Sequence, residues 1–504
     1  MTRDSDKYFR DNKPYAGLGR TSLFSGATYI AARAINVIVQ VASTVLLARL
    51  LSPYDFGLVA MVLALVGFAP LLIDLGTSDA AIQKASITEV EVSTLFWLNI
   101  AIGSILTLLL IATSGVIAAF FGEPALTDIA FVSSFAFIIG ALATQHSALM
   151  RRAMQFRQLA IIDIGSNVIS SIVAIAMAFT GWGYWALVAK PILASALSAS
   201  GVWMSCSWVP RRPRLTPDVK ELVGFGMGVT GFTMTDYFAR SADRVAIGYI
   251  YGAGQLGYFQ NAFLVYSNLM GIVTESLHNI ATAGLSKLRN DVDELKRSWA
   301  SALSLMSFIS AAVFAVLAVT GQDFVVILLG PKWAPAGPLL SVFAVKGIAH
   351  SVERTLGWLH VAAGRSDRWT RWGLFSAGCQ LVALAAGLPF GPIGVAGAYA
   401  IVTFVLAVPA LVYAGRPLGI DIKDVLRAVG PQAVAGLVAV ALGLIVQNII
   451  FVNFSPLARF FISAHICLAI YLVVMVGLFR VTRPLRLAFS LLRHSMPKRS
   501  RESS

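Results

Sequence analysis

A chain of 504 residues with 57% apolar side chains, 13% charged ones and a mean hydropathy of +0.76 is too apolar for a water-soluble fold of that length. Its net charge of +14 would suggest nucleic acid in a soluble protein, but the basic residues sit in short loops between apolar stretches, so membrane lipids are the expected neighbour and no nucleic acid is expected. Cys206, Cys379 and Cys467 are scattered without CxxC or metal-ligand spacing, so neither a disulfide framework nor a metal or other cofactor is expected.

Fourteen apolar stretches follow in chain order: 24–47, 56–77, 94–118, 128–149, 161–180, 184–204, 222–250, 255–283, 299–320, 338–361, 373–389, 393–414, 429–452 and 460–479. Most approach the roughly 20 residues that cross a bilayer as a helix. The polar opening 1–22 carries Arg3, Asp4, Asp6, Lys7, Arg10, Asp11 and Lys13, and the first apolar run lacks an AxA-type end. It reads as a span that acts as its own insertion signal rather than a cleaved signal peptide. Thirty of the 39 lysines and arginines fall in the two tails and the even-numbered gaps, whereas the odd-numbered gaps hold only Arg49, Lys332 and Arg459. The positive-inside rule then puts both termini in the cytoplasm, and the self-inserting first span fits a bacterial inner membrane or a plasma membrane generally.

The expectation is an all-α integral membrane protein of about 14 helices, with two pseudo-repeated six-helix lobes around a central cavity and a C-terminal pair. Its parts are a cytoplasmic tail 1–22, an N-lobe 23–210, a C-lobe 211–425, a helix pair 426–480 and a basic cytoplasmic tail 481–504. A shift of 200 lays Arg49-Leu50-Leu51-Ser52-Pro53-Tyr54-Asp55-Phe56-Gly57 over Tyr249-Ile250-Tyr251-Gly252-Ala253-Gly254-Gln255-Leu256-Gly257, each an outer turn opening the second helix of its half. Gly181-Trp182-Gly183-Tyr184-Trp185-Ala186 and Gly391-Pro392-Ile393-Gly394-Val395-Ala396 each link two helices, preceded by the basic loops Arg151 to Arg157 and Arg365 to Arg371. Repeated halves around a cavity are the usual build of an alternating-access transporter. Span 7 is long enough to rise about 43 Å against a core of about 30 Å, and Gly224, Gly226, Gly228 and Gly231 in its inner third predict a tilt or break there.

Six basic residues fall inside spans: Arg33, Lys190, Arg240, Arg244, Lys346 and Arg354. Each costs roughly 2.5–3.5 kcal/mol at mid-bilayer on insertion scales. Several share polar helical faces: Arg33, Asn36, Gln40 and Thr44; Thr233, Asp236, Arg240 and Arg244; and Lys346, His350, Glu353 or Arg354, and Gly357. Such faces look into protein or water. By orientation Arg33 and Arg354 lie in the inner half and Lys190, Arg240 and Lys346 in the outer half, so an anion would meet positive charge at each level.

Ion pairing and snorkelling are open alternatives for single residues: Asp236 for Arg240, Asp243 for Arg244, the inner interface for Arg354. Arg33, Lys190 and Lys346 have no local acidic partner in sequence. Together the six define a candidate cationic cavity lined also by Asn36, Gln40, Thr233 and His350. Glu275, with His278 one turn on, and Asp236 and Asp74 are candidates for ion coupling, Asp74 and Asp163 lying near cytoplasmic ends where an interfacial role competes. Trp182, Tyr184, Trp185, Trp208, Trp333, Trp369 and Trp372 suit an interfacial belt, with stacking on sugar rings an open alternative for Trp182 and Trp185. The gaps hold no soluble catalytic domain, and GxxxxGK[ST], GxSxG and HExxH are missing, so the chain is read as neither an enzyme nor an ATP-driven pump.

Ala48-Arg49-Leu50-Leu51-Ser52-Pro53-Tyr54-Asp55-Phe56-Gly57-Leu58, Asp74-Leu75-Gly76, Ile82-Gln83-Lys84, Phe120-Phe121-Gly122-Glu123-Pro124, Arg151-Arg152-Ala153-Met154-Gln155-Phe156-Arg157, Gly183-Tyr184-Trp185-Ala186-Leu187-Val188, Asp243-Arg244-Val245-Ala246-Ile247-Gly248 and Leu329-Gly330-Pro331-Lys332-Trp333-Ala334-Pro335-Ala336-Gly337-Pro338-Leu339-Leu340 come in this order. This run resembles the bacterial polysaccharide transporter family, the Wzx-type flippases of the multidrug/oligosaccharidyl-lipid/polysaccharide exporter superfamily, over residues 20–345. The resemblance implies a bilobed flippase that moves polyprenyl-diphosphate-linked oligosaccharide to the periplasmic leaflet for exopolysaccharide, capsule or lipopolysaccharide-type polymer, with polysaccharide polymerase or export machinery as partners. Phe263-Leu264 departs from the Tyr-Arg pair that relatives often carry, which puts a head-group contact there in doubt. Three other readings stay open: a cation or drug exporter of the same superfamily, which calls for an acidic cavity, a flippase of the peptidoglycan lipid precursor, and a non-transporting scaffold of a polymer-export complex.

Overall fold

The computed structural model describes residues 8–9, 35–84, 86–214, 217–286, 292–450 and 454–480. The first helix is α1, Ile35–Leu50. Then come α2 Pro53–Val66, α3 Ala69–Asp74, α4 Thr77–Gln83, α5 Glu89–Phe121, α6 Ala125–Arg152, α7 Phe156–Phe179, α8 Trp185–Ser205 and α9 Pro217–Ser286. The chain ends with α10 Val292–Leu329, α11 Ala336–Glu353, α12 Leu356–Ala362, α13 Ser366–Gly387, α14 Gly391–Gly415, α15 Ile422–Ile450 and α16 Pro456–Val473. Among the described residues, nine helical stretches are long and apolar enough to cross a membrane. The protein is therefore a helical multi-pass membrane protein. Four expected spans, 24–47, 222–250, 255–283 and 338–361, are not among those nine: α1 is described only from Ile35, α9 takes in two of them and carries Asp236, Arg240, Asp243 and Arg244, and α11 is cut from α12 at Arg354 and Thr355; 373–389 and 393–414 fall in one stretch.

Local chemistry sets the ends. Ser52 and Thr88 begin α2 and α5 with capping boxes: each hydroxyl accepts from the backbone three residues on, and Asp55 or Glu91 returns a carboxylate to the cap N–H. The expected second span is broken twice. Gly67 caps α2, and Leu75 and Gly76 take left-handed φ of 46 and 65° between α3 and α4.

The chain divides into two compact units, Met1–Gly257 and Tyr258–Ser504, a division that falls after the junction expected at 210. In the first unit α5 packs on α6, α7 on α8 and α6 on α8. The loop after α8 is strapped onto the start of α5. There Arg211 N donates to Ser93 Oγ at 3.0 Å, Arg214 N to Thr94 Oγ1 at 3.0 Å and Trp97 Nε1 to the Arg211 carbonyl at 2.8 Å. Trp208 is buried beneath, against Phe96, Leu149, Met150, Val202 and the ring of Tyr8. In the second unit α10 is central, packing on α11, α15 and α16. Leu295, Trp299, Leu303 and Met306 of α10 meet Trp358 and Leu359 of α12 and Leu411 of α14 in one buried cluster.

The two units repeat a backbone pattern. Left-handed residues end α5, α6 and α7 at Gly122, Met154 and Gly181 (φ 72, 57 and 83°). Their counterparts after α10, α12 and α13 are Gly330, Gly364 and Gly391 (φ 101, 64 and 78°), each 208 to 210 residues later. Such positions stop a helix and reverse the chain.

The break expected in the inner third of span 7 is not found. α9 stays helical through Gly224, Gly226, Gly228 and Gly231, and its non-helical residue is Gly252, at φ 77 and ψ 175°. Glycine weakens a helix chiefly by exposing amides to water and freeing the unfolded chain, effects that shrink in a bilayer. Gly252 instead occupies a backbone region open essentially to glycine alone.

Candidate functional site

In the first unit the polar face of α1 meets α7 and α8. Asn167 Nδ2 of α7 donates to Asn36 Oδ1 at 3.2 Å and to the Asp163 carbonyl at 3.1 Å. Two turns on from Asn36, Ser43 Oγ donates to the Gln40 carbonyl at 2.9 Å and accepts from Lys190 Nζ, which stands on α8 just before Pro191. Lys190 is half-buried and has no acidic counter-ion among the described residues. Gln40 is exposed. Arg33 lies outside the described residues, as do the side chains of Thr233, Asp236 and Arg240 on α9. Arg244 is held locally, its Nη2 donating to Ser241 Oγ at 3.0 Å and its Nε lying 3.8 Å from Asp243 Oδ1.

Asp74 works as a cap. Its Oδ1 accepts from Ser78 N at 3.1 Å and Ser78 Oγ at 2.6 Å, binding the start of α4 to the end of α3. Buried Thr77 beside it accepts from Gln145 Nε2 at 3.0 Å and approaches Asn99 at 3.5 Å. Sequence periodicity did not single out this inner cluster, because the small helices that form it break the register.

In the second unit, Lys346, His350 and Arg354 follow at steps of four along α11. Lys346 is 9% exposed, and its Nζ lies 5.3 Å from the centre of the Tyr399 ring of α14. That is a cation–π contact, favoured when desolvated. His350 Nδ1 is 2.6 Å from Tyr266 Oη, and the two rings stack at 6.2 Å. Tyr266 is itself buried against Phe343 and Phe314. Arg354 caps α11 and is exposed. The side chains of Glu275 and His278 lie outside the described residues. Tyr266 and Tyr399 were missed from sequence, since an aromatic on a span reads as core or belt until its neighbour is known.

One basic residue of the odd-numbered gaps is no surface charge. Arg459 of α16 grips the fully buried Asp323 of α10, its Nε 2.8 Å from both carboxylate oxygens and its Nη2 on Oδ1. Gln447 Nε2 of α15 donates to Asp323 Oδ2 at 2.9 Å. The trio pins the C-terminal helix pair to α10.

The arrangement offers cations, hydroxyls, amides and tyrosines at membrane depth, groups that bind phosphate oxygens and sugar hydroxyls. Comparison with known proteins runs the same way. The family described as polysaccharide biosynthesis protein matches residues 46–338. The chain is 24% identical over 379 residues to lipopolysaccharide biosynthesis protein WzxC of Escherichia coli (strain K12), covering 73% of this chain and 75% of that one. It is 24% identical over 354 residues to teichuronic acid biosynthesis protein TuaB of Bacillus subtilis (strain 168), covering 69% and 73%. Among solved structures, lipid II flippase MurJ in an inward closed conformation superposes with a TM-score of 0.71 at 16% identity, over 90% of this chain and 98% of that one. At that identity the likeness concerns the fold, and with the family match over more than half its length, the chain belongs to the polysaccharide biosynthesis protein family of multi-pass membrane proteins.

Proposed function

We propose that the protein is a flippase that carries polyprenyl-diphosphate-linked oligosaccharide from the cytoplasmic to the periplasmic leaflet by alternating access, supplying polymer biosynthesis. The observation that carries the reading is Lys190, a half-buried ammonium on α8, a helix apolar enough to cross a membrane, bonded to Ser43 and with no acidic counter-ion among the described residues. An intramembrane cation kept at a cost of roughly 2.5–3.5 kcal/mol is repaid by an anionic cargo. Lys346, buried beside the Tyr399 ring, is the cation of the second unit. Arg33, Arg240, Arg244 and Arg354 complete a cationic path, with Asn36, Gln40, Thr233 and His350 beside it and Glu275 and Asp236 as ion-coupling groups. The lobes 23–210 and 211–425 and the appended pair 426–480 lie in a bacterial inner membrane with both termini cytoplasmic. A polymerase or export complex would receive the product.

A diphosphate with about two negative charges gains roughly 4–5 kcal/mol per 100 mV on leaving an inside-negative cell, at about 2.3 kcal/mol per charge. Export can thus be driven electrically. The test is a deletion strain complemented with native protein or with Lys190→Gln plus Lys346→Gln, scored for accumulated lipid-linked oligosaccharide and for surface polymer. The variant is expected to accumulate precursor and lose polymer. Full complementation would remove the cationic path from the mechanism, and resistance to lipophilic cations in its place would favour a drug exporter.

A further inference from the structure

Within the first unit, α2 and α9 meet along their length. Tyr237 Oη donates to the Leu63 carbonyl at 2.6 Å, Phe68 packs on Tyr237 and Phe238 at 6.2 and 5.1 Å, and an added Cβ on Gly248 would touch Met61 at 3.2 Å. At the end that the basic-residue pattern puts outside, main chain meets main chain. A Cβ built on Gly57 would lie 1.7 Å from the carbonyl oxygen of Ala253, and one built on Gly257 would lie 1.9 Å from the carbonyl oxygen of Pro53. Two main chains touch there with no room for a methyl group.

These two contacts are one contact occurring twice. Adding 200 carries Pro53 to Ala253 and Gly57 to Gly257, so exchanging the two turns turns each contact into the other. That is the signature of a self-complementary patch about a twofold axis, here formed by two repeats of one chain. Nearby Gly254 has open space around its missing Cβ, so the tightness belongs to the paired positions rather than to the whole turn.

We propose that Gly57 and Gly257 form a latch that closes the outer mouth of the transport path, and that its parting opens the path to the outer leaflet. The proposal rests on the alternating-access reading above. Its physical logic is that main-chain contact at the two glycines brings the turns close enough to exclude water.

The test places one cysteine, Ala253→Cys, in full-length protein whose Cys206, Cys379 and Cys467 are changed to serine, and measures labelling by a membrane-impermeant maleimide on intact cells. Ala253 is 2% exposed, so labelling is expected to be slow in the native-glycine background. Gly57→Ala or Gly257→Ala should hold the turns apart and speed it about tenfold or more. Gly254→Ala should leave it unchanged. Because both alanines strike one contact, the double variant should fall short of the product of the single effects. Labelling as slow in both single variants as in the native background, or equal acceleration by Gly254→Ala, overturns the latch. If the alanine variants do not reach the membrane, the native-glycine protein still decides: protection of Ala253→Cys relative to Trp182→Cys, at a position 58% exposed, supports the latch, and equal rates overturn it. Labelling requires no cargo. Polymer scored in the same cells therefore tests the flippase reading separately, and normal polymer in the uncomplemented deletion strain would overturn that reading alone.

Discussion

Replacing Arg459 by methionine leaves the Asp323 carboxylate, wholly buried in α10, with the Gln447 amide as its named hydrogen-bond donor. Breaking a buried pair on one side costs about 3–5 kcal/mol, because the stranded charge has lost its counter-ion without regaining water. Removing the amide instead, with Gln447→Leu, should cost about 1.5–3 kcal/mol, the range for a hydrogen bond to a charged group. Replacing both ions, with Asp323→Leu and Arg459→Met together, should return stability to within about 1 kcal/mol of native or above it, since no charge is then left to desolvate. Denaturant unfolding of purified protein in detergent, arranged as a double-mutant cycle, reads all three quantities. A loss under about 1 kcal/mol for Arg459→Met would equal that of an exposed pair and refute the reasoning. So would a double variant as unstable as the single one.

Lys346→Gln should lower surface polymer about tenfold while protein level in the membrane is kept, and Lys346→Arg should retain most of it, because charge and cation–π stacking on Tyr399 both survive; equal loss in both would show that shape rather than charge matters. Gly364→Ala should destabilise the protein by about 1–2 kcal/mol, the cost of a Cβ in left-handed backbone, whereas Met154→Gly at the matching position of the first unit should move stability less and in the opposite direction. Thermal unfolding of the two variants side by side checks the sign.

The helical membrane class was legible from apolar stretches alone, since a bilayer core admits a single chain mainly as helices about 20 residues long. Turn positions were legible too: Gly181 and Gly391, paired by sequence, share left-handed φ. Breaks inside spans were not. Leu75 adopts a left-handed φ that its side chain disfavours, and the glycines of span 7 stay helical, so residue type alone misplaces both. Of the site residues, Arg244 was read as a cavity cation with pairing to Asp243 as the alternative, and the structure shows that pair, while Lys190, read as a cavity cation without a local acidic partner, bonds to Ser43. Ser43 lay one position from the stripe drawn on α1, within reach of the same spacing rule. Asp323 could not be recognised as the partner of Arg459, because 136 residues separate them and no periodicity links α10 to α16.

The strap after α8 bears on any attempt to express the chain as two separate pieces. A cut between Pro210 and Arg211, where hydropathy invites it, would leave Ser93 and Thr94 in the front piece without the amides of Arg211 and Arg214, and Trp97 without its carbonyl. Trp208 would remain at the new end of the front piece, its cover over Phe96 and Met150 anchored on one side only. Split-protein reassembly and fluorescent-domain fusion at this loop would therefore act on the packing of α5 itself, whatever flexible spacer is added.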